Sequence, residues 1–166
     1  MNAYLDDGVL GERLLATRVE LVEVGLEAHA LLAEHAPRLG PGFWIRFTVQ
    51  YNLFAGTILA LASEKQLSLL DKMHDDGHLG AFGLTERFAG VNSGLVVNTT
   101  ADWNEDRGVF VLNSPRDGAF KNWISQGFCA DKSVVVADTI VGGKSCGPHA
   151  FLIDFRVDSA GGAKLV

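Results

Sequence analysis

The sequence has few of the residues that form disulfide frameworks or metal sites, and it has no long hydrophobic run. Only two of its 166 residues are cysteines. Cys129 and Cys146 lie far apart without a metal-ligand pattern, so we expect free thiols in a reducing compartment and no metal site. No uninterrupted apolar run reaches membrane-spanning length, and Arg46 interrupts the most apolar region. Residues 1–7 show neither a secretory signal nor a transit peptide, which predicts a soluble intracellular protein.

Basic residues and hydrolytic motifs are also scarce. The chain has 14 Lys and Arg against 20 Asp and Glu, a formal net charge of −6. This balance argues against a nucleic-acid partner, because phosphate contacts need clustered basic side chains. The histidines show no HExxH or paired ligand spacing. Ser114-Pro115 lacks a GxSxG context, so a hydrolase triad has no support.

The first half of the chain has the periodicity of helices. Apolar residues recur at three- and four-residue intervals over residues 9–36, which predicts a helix or a broken pair of helices that ends at Pro37 and the Gly40-Pro41-Gly42 cluster. Residues 43–62 are the most apolar stretch and predict a buried helix. Ser63-Glu64-Lys65-Gln66 has the arrangement of a capping box, and it predicts a third helix from about Glu64 to His74. Gly77 would be the left-handed residue after this helix.

From Leu79 onward the period changes to two, which indicates strands. Residues 95–100 and 109–112 flank the turn at Asn104–Gly108 and predict a hairpin. Two more strands are expected at Ser133–Val141 and His149–Arg156, joined through Gly142-Gly143 and Gly147-Pro148. Helices followed by strands indicate an α+β fold, with a helical region over residues 1–78 and a β-domain over residues 79–166.

Two segments of the β-region are unlike plain core strands. Gly80–Thr100 passes from an apolar run to Thr85-Glu86 and then to a loop of Gly, Asn and Ser, whose small residues allow close backbone approach to a ligand. Phe120–Gly127 offers the indole of Trp123 followed by the hydroxyl of Ser125. An aromatic face, hydroxyls and exposed backbone amides suit an extended, planar cofactor with polar edges.

Four segments occur in a characteristic order: Phe82-Gly83-Leu84-Thr85-Glu86, Gly90 to Ser93, Val111-Leu112-Asn113-Ser114-Pro115 and Trp123-Ile124-Ser125. Together they resemble the middle domain of the acyl-CoA dehydrogenase and acyl-CoA oxidase family, over roughly residues 40–156. The third segment and the later Gly147-Pro148-His149-Ala150-Phe151 are typical of oxidases. The fourth segment is typical of dehydrogenases, which usually carry Trp-Ile-Thr there, so the branch of the family stays open.

The resemblance implies an antiparallel, barrel- or sandwich-like middle β-domain that follows an N-terminal helical region and precedes a C-terminal helical bundle. It implies FAD as cofactor and α,β-dehydrogenation of acyl-CoA thioesters in fatty-acid β-oxidation, with electron-transfer flavoprotein or oxygen as acceptor. It also implies a homo-oligomer in a peroxisome-type organelle or a mitochondrion. The alternative function is a non-catalytic binding or interaction module that keeps the fold without flavin.

The resemblance also assigns individual residues. Phe82, Leu84, Thr85, Trp123, Ile124 and Ser125 would contact FAD, and Gly90 and Ser93 would contact the acyl-CoA substrate, with Asn92 competing for that role. Read without the resemblance, Thr85-Glu86 is a strand end with a solvated carboxylate, and Trp123 is a core residue. Glu86 is not expected to be catalytic. The catalytic base is expected beyond Val166, with the helical bundle that this sequence lacks, so the chain alone should be inactive.

Overall fold

The computed structural model describes residues 27, 30, 31, 33–89, 97–157 and 164–165, and the structural statements below concern these residues. The chain separates into two compact units, Met1–Trp44 and Ile45–Val166. The domain boundary near residue 78 stays a prediction. Most of the helix expected over residues 9–36 lies outside the described residues. Its described end is helical as far as His35 and continues into a 3-10 turn over Ala36–Leu39, so Pro37 does not end the helical backbone.

The most apolar stretch forms a helix, as predicted, but most of it is not buried. Helical backbone runs through α1 (Pro41–Phe47), a π-helical stretch (Thr48–Ala55) and α2 (Gly56–Leu61). Phe47, Phe54 and Ile58 are buried, at spacings of seven and four residues that define one side of a helix. The expectation of a buried helix is therefore wrong for most of its surface, because the helix packs through one side only. The large apolar side chains left exposed are Phe43, Trp44, Ile45, Tyr51, Leu53, Leu59 and Leu61.

Helix α3 (Glu64–Asp75) begins and ends as the sequence predicts. The side-chain oxygen of Gln66 accepts a hydrogen bond from the backbone N–H of Ser63 at 3.0 Å, which is one half of a capping box. At the other end Gly77 has a φ of +69°. The N–H of His78 donates to the carbonyl of Met73 at 2.8 Å, the closing bond of a Schellman motif.

The strands form a mixed, curled sheet centred on one long strand. In chain order they are β1 (Gly80–Gly83), β2 (Thr100–Asn104), β3 (Val109–Asn113), β4 (Lys132–Val141) and β5 (Lys144–Asp154). Strand β5 pairs antiparallel to β4 along one edge, whereas β1 and β2 pair parallel to β4 along the other edge. The expectation of a purely antiparallel β-domain is therefore wrong. Arg156–Val157 and Lys164–Leu165 form a separate two-stranded antiparallel pair.

Two hairpins confirm the predicted strands, although the observed strand ends differ from the predicted ones. Strands β2 and β3 pair around the turn at residues 105–108, and β2 begins at Thr100 rather than at residue 95. Strands β4 and β5 turn through Gly142-Gly143, whose φ values are +57° and +75°. Gly147-Pro148 was expected to be a connection, and this is wrong because β5 already begins at Lys144. Pro148 fits within β5 beside a register shift, where a missing N–H is tolerated.

The core of the second unit lies between α2, α3 and one face of the sheet. Phe54, Ile58 and Met73 pack with Val134 of β4. Gly80 of β1 lies against this cluster, and a Cβ built on it would come within 2.1 Å of the Phe54 ring. This close approach fixes where β1 starts and therefore where the residues after β1 emerge. No described helix is long and apolar enough to cross a membrane.

Candidate functional site

The two unusual sequence segments lie side by side in the structure. The N–H of Arg87 donates to the carbonyl of Phe120 at 2.9 Å, and the N–H of Asn122 donates to the carbonyl of Thr85 at 2.9 Å. Between these bonds Glu86 and Lys121 form an antiparallel bridge. One hydrogen bond therefore joins Thr85 to Asn122, the residue that precedes Trp123. Residues 33 to 37 positions apart in the sequence meet at one place.

The hydroxyl groups of Thr85 and Ser125 are available to a ligand. Both residues are half-buried. Neither hydroxyl makes a hydrogen bond to another residue in the described part of the chain, and the backbone N–H groups of residues 123–125 make none there either. Half-buried donors without a partner among the described residues suit a ligand with polar edges, because a buried donor that makes no hydrogen bond costs free energy.

Trp123 points away from the protein core. Its side chain is 86% exposed, so the alternative interpretation of Trp123 as a core residue is wrong. Its backbone φ is +58°, a left-handed conformation that is costly for an aromatic residue and that concentrates at ligand sites. Ile124, the next residue, is half-buried. The backbone thus directs the indole of Trp123 toward solvent, whereas the next residue, Ile124, is partly buried.

Gln126 anchors this turn, and sequence reasoning did not single it out. It is 8% exposed, also has a positive φ of +68°, and its side-chain amide donates to the carbonyl of Gly80 at 2.7 Å. The N–H of Gly80 donates in turn to the side-chain oxygen of Gln50 at 2.8 Å. The Trp123 turn is therefore tied to the start of β1 and to the long helix. Nothing in the local sequence marks Gln126, because the carbonyl that its side chain binds, that of Gly80, is 46 residues away.

Glu86 is a buried carboxylate, not a solvated one as the alternative interpretation of Thr85-Glu86 would have it. It is 2% exposed. Its oxygens accept hydrogen bonds from the backbone N–H of Thr99 at 2.8 Å and of Asn98 at 2.8 and 3.0 Å. The Thr99 hydroxyl donates at 2.8 Å, the Asn98 side-chain amide at 3.1 Å and the Lys121 ammonium at 3.1 Å. Burial alone would raise the pKa of Glu86, but these donors lower it to about 2.

Lys121 completes this buried arrangement. Its ammonium group donates to Glu86, to the carbonyl of Leu84 at 3.1 Å and to the carbonyl of Val136 at 2.7 Å. Burial lowers the pKa of Lys121, while Glu86 acts in the opposite direction. Five donor groups surround Glu86, one of them the Lys121 ammonium, so both carboxylate oxygens are already engaged in hydrogen bonds. The role of Glu86 is therefore structural.

The remaining predicted site residues are placed unequally. Leu84 is partly exposed beside Thr85, whereas Phe82 packs against the helix–sheet core. Gly90 and Ser93 lie outside the described residues, as does Asn92. Within the described ranges, no group of three His, Cys, Asp or Glu could hold a metal ion. The assigned contacts to cofactor and substrate stay predictions.

Known proteins resemble the chain over most of its length. No family model matches it. Acyl-coenzyme A oxidase 2, peroxisomal, of Arabidopsis thaliana is 31% identical over 121 residues, which are 68% of this chain and 17% of that protein. Acyl-coenzyme A oxidase acox-3 of Caenorhabditis elegans is 31% identical over 132 residues, which are 79% of this chain and 19% of that protein.

Solved structures agree with these relatives. Acyl-CoA oxidase 3 from Yarrowia lipolytica matches with a TM-score of 0.69 and 25% identity, over 90% of this chain and 24% of that one. Acyl-CoA oxidase-2 of Caenorhabditis elegans, solved with FAD, ascaroside-CoA and ATP, matches with a TM-score of 0.62 and 25% identity, over 84% of this chain and 24% of that one.

The α+β fold of this chain therefore matches part of the fold of solved acyl-CoA oxidases. The chain belongs to the acyl-CoA oxidase and acyl-CoA dehydrogenase family, as its four sequence segments predict. It spans less than a fifth of the length of the curated relatives it matches.

Proposed function

We propose that this chain forms part of an FAD-dependent oxidoreductase that acts on the CH–CH group of acyl-CoA thioesters. The observation that carries the proposal is the pairing of the two segments. It brings the Thr85 hydroxyl, which has no hydrogen-bond partner among the described residues, into the same region as the exposed indole of Trp123 and the Ser125 hydroxyl. A related oxidase was solved with FAD and ascaroside-CoA, and this supports FAD as the cofactor.

The residues present suit the edge and the face of a flavin. In the proposal, Thr85 and Ser125 supply uncharged hydroxyl groups to the polar edge, and the backbone N–H groups of residues 123–125 supply further donors. Trp123 supplies an aromatic surface that is 86% exposed. FAD, when bound, supplies a two-electron acceptor for the acyl chain. The protein's own contribution is binding, orientation and exclusion of water.

The proposal extends to the electron acceptor and to the cellular compartment of the enzyme. The relatives named above are oxidases, and that of Arabidopsis thaliana is described as peroxisomal. This supports oxygen as acceptor and a peroxisome as location, over electron-transfer flavoprotein and a mitochondrion. Gly90 and Ser93 are proposed to contact the thioester substrate. Peroxide formation by the complete enzyme with an acyl-CoA, measured in the presence and absence of oxygen, tests the choice of acceptor.

FAD titration of the purified chain tests the proposal directly. We expect visible flavin absorbance and thermal stabilisation on addition of FAD. Replacing Thr85 with Val, or Ser125 with Ala, should weaken FAD binding by about 1–3 kcal/mol, the cost of stranding a buried polar edge of the ligand. Ser68→Ala is the control, because it removes an exposed hydroxyl on α3. Unchanged affinity in both site variants would contradict the assignment and leave the family intact.

A second candidate is a binding module without flavin. Three aromatic side chains near the paired segments are strongly exposed, namely Phe88 at 76%, Trp123 at 86% and Phe128 at 97%. Exposed aromatic groups also serve as contacts between proteins. If a large excess of FAD gives neither a spectral change nor a shift in melting temperature, the binding module is the better description of this chain.

The chain alone is proposed to self-associate and to lack turnover. An α-proton of a thioester is a weak acid, and a positioned base supplies about 10²–10⁴-fold in such steps. Glu86, the carboxylate within the paired segments, accepts hydrogen bonds from five donor groups. Light scattering in dilute solution and an acyl-CoA assay with an artificial acceptor test these two statements. A monomer would contradict the first, and robust turnover would contradict the second.

A further inference from the structure

The edge of β4 that pairs with β1 and β2 has a gap between them. Strand β1 ends with Gly83 opposite Val135, and β2 begins with Thr100 opposite Asp138. Among the described residues, no strand residue is therefore registered with Val136 or Ala137 on this edge. The ammonium group of Lys121 donates to the carbonyl of Val136 at 2.7 Å, in the place where the N–H of a neighbouring strand would otherwise stand.

Lys121 also holds the residues that leave β1. Its other two donors reach the carbonyl of Leu84 and the carboxylate of Glu86, both at 3.1 Å. An ammonium group has three N–H bonds, and each has an acceptor here. Through this one side chain, the β4 edge, the segment after β1 and the segment that leads to Trp123 share a single junction.

Glu86 connects the same junction to β2. It accepts hydrogen bonds from the backbone N–H groups of Asn98 and Thr99, the two residues that precede β2. The side chain of Glu86 is 1% exposed and that of Lys121 is 14% exposed, so water competes little for either charge. The pair closes the gap from both sides, since one member contacts β4 and the other contacts the start of β2.

We propose that Glu86 and Lys121 are positioning residues for the cofactor site. They set the distance between the Thr85 hydroxyl, one residue before Glu86, and the Trp123–Ser125 turn, two residues after Lys121. This inference rests on the proposed function, because it concerns the contacts assigned to FAD. Neither residue is assigned a contact with the cofactor itself.

The experiment compares two lysines that each form an ion pair with a carboxylate, Lys121 with Glu86 and Lys132 with Asp154. Lys121→Met removes the buried ammonium at similar side-chain length. Lys132→Met is the matched control, because Lys132 pairs with Asp154 where β4 pairs with β5, and its partner is 59% exposed. We expect Lys121→Met to weaken FAD binding by about tenfold or more and to alter the flavin absorbance bands, whereas Lys132→Met should change neither. Lys121→Arg, which keeps the charge, should restore part of the affinity.

Amide hydrogen exchange gives a readout that does not require FAD. In Lys121→Met the N–H groups of Arg87 and Asn122, which join the two segments, should exchange about tenfold faster or more than in the unmodified chain. Amides that pair β4 with β5 should keep their exchange rates. This comparison also shows whether the variant is folded. If it is not folded, Glu86→Gln and Lys121→Arg are compared by the same measurements.

The outcomes separate the two proposals. Equal effects of Lys121→Met and Lys132→Met on FAD affinity would overturn the positioning role and leave FAD binding intact. Failure of the unmodified chain to bind FAD would overturn the proposed function for this chain. In that case hydrogen exchange still decides the positioning role, and unchanged exchange at Arg87 and Asn122 would overturn it.

Discussion

Acidification should weaken the fold through the carboxylate of Glu86. Its pKa falls from an ordinary value of 4.5 to about 2 in the folded chain. Because one pKa unit corresponds to about 1.4 kcal/mol, this shift stabilises the folded state by about 3 kcal/mol when the carboxylate is ionised. The folded value lies below the unfolded one. The contribution is therefore complete above pH 4.5 and is lost as the pH falls toward 2.

Urea unfolding of the chain and of Glu86→Gln at pH 7, 5, 4 and 3 isolates this term, because all other groups titrate in both proteins. At pH 7 the variant should be less stable, since Lys121 loses its buried partner. Between pH 7 and pH 3 the difference in unfolding free energy should shrink by about 2 kcal/mol, the part of the contribution already lost at pH 3. Glu105→Gln, the same change at an exposed turn position, should stay within about 0.5 kcal/mol of the unmodified chain. A difference for Glu86→Gln that stays constant from pH 7 to pH 3 would refute this reasoning.

The other predictions concern glycines and assembly. Gly80→Ala should lower the unfolding free energy by about 1–3 kcal/mol, because its Cβ would overlap the Phe54 ring, whereas Gly42→Ala in open space should not. Gly77→Ala should cost about 1 kcal/mol, since its φ is +69°; thermal unfolding checks all three, and equal melting temperatures for Gly80→Ala and Gly42→Ala would contradict the first. The isolated chain should sediment as a dimer or larger species, and a single monomer peak in analytical ultracentrifugation would contradict this.

Local signals predict those parts of the fold whose causes lie within a few residues. The Ser63–Gln66 run positions the start of α3, and Gly77 positions its end, because capping depends on backbone groups one turn away. The Gly142-Gly143 turn is equally local. Each of these expectations is confirmed because its hydrogen bonds connect near neighbours in the chain.

Strand direction and helix burial could not be predicted in the same way. A period of two shows that a segment is a strand, but it does not show which strand it pairs with or in which direction. The parallel pairing of β1 and β2 with β4 joins residues that are 38 or more positions apart in the sequence. Likewise, the apolar residues of the long helix show that some of its surface is buried, whereas the sheet determines which side.

The candidate site combines both kinds of information. The order of four motifs indicates the family, and it places Thr85 and Trp123 in one functional region. The geometry that brings them together depends on Lys121 and on the gap at the β4 edge, and neither is visible in periodicity. Glu86 shows the consequence most clearly. In the sequence it is a charged residue next to a candidate contact, yet its donors come from residues 98, 99 and 121. In our proposal, this carboxylate, buried by such distant donors, holds Thr85 and the Trp123–Ser125 turn in position for a ligand.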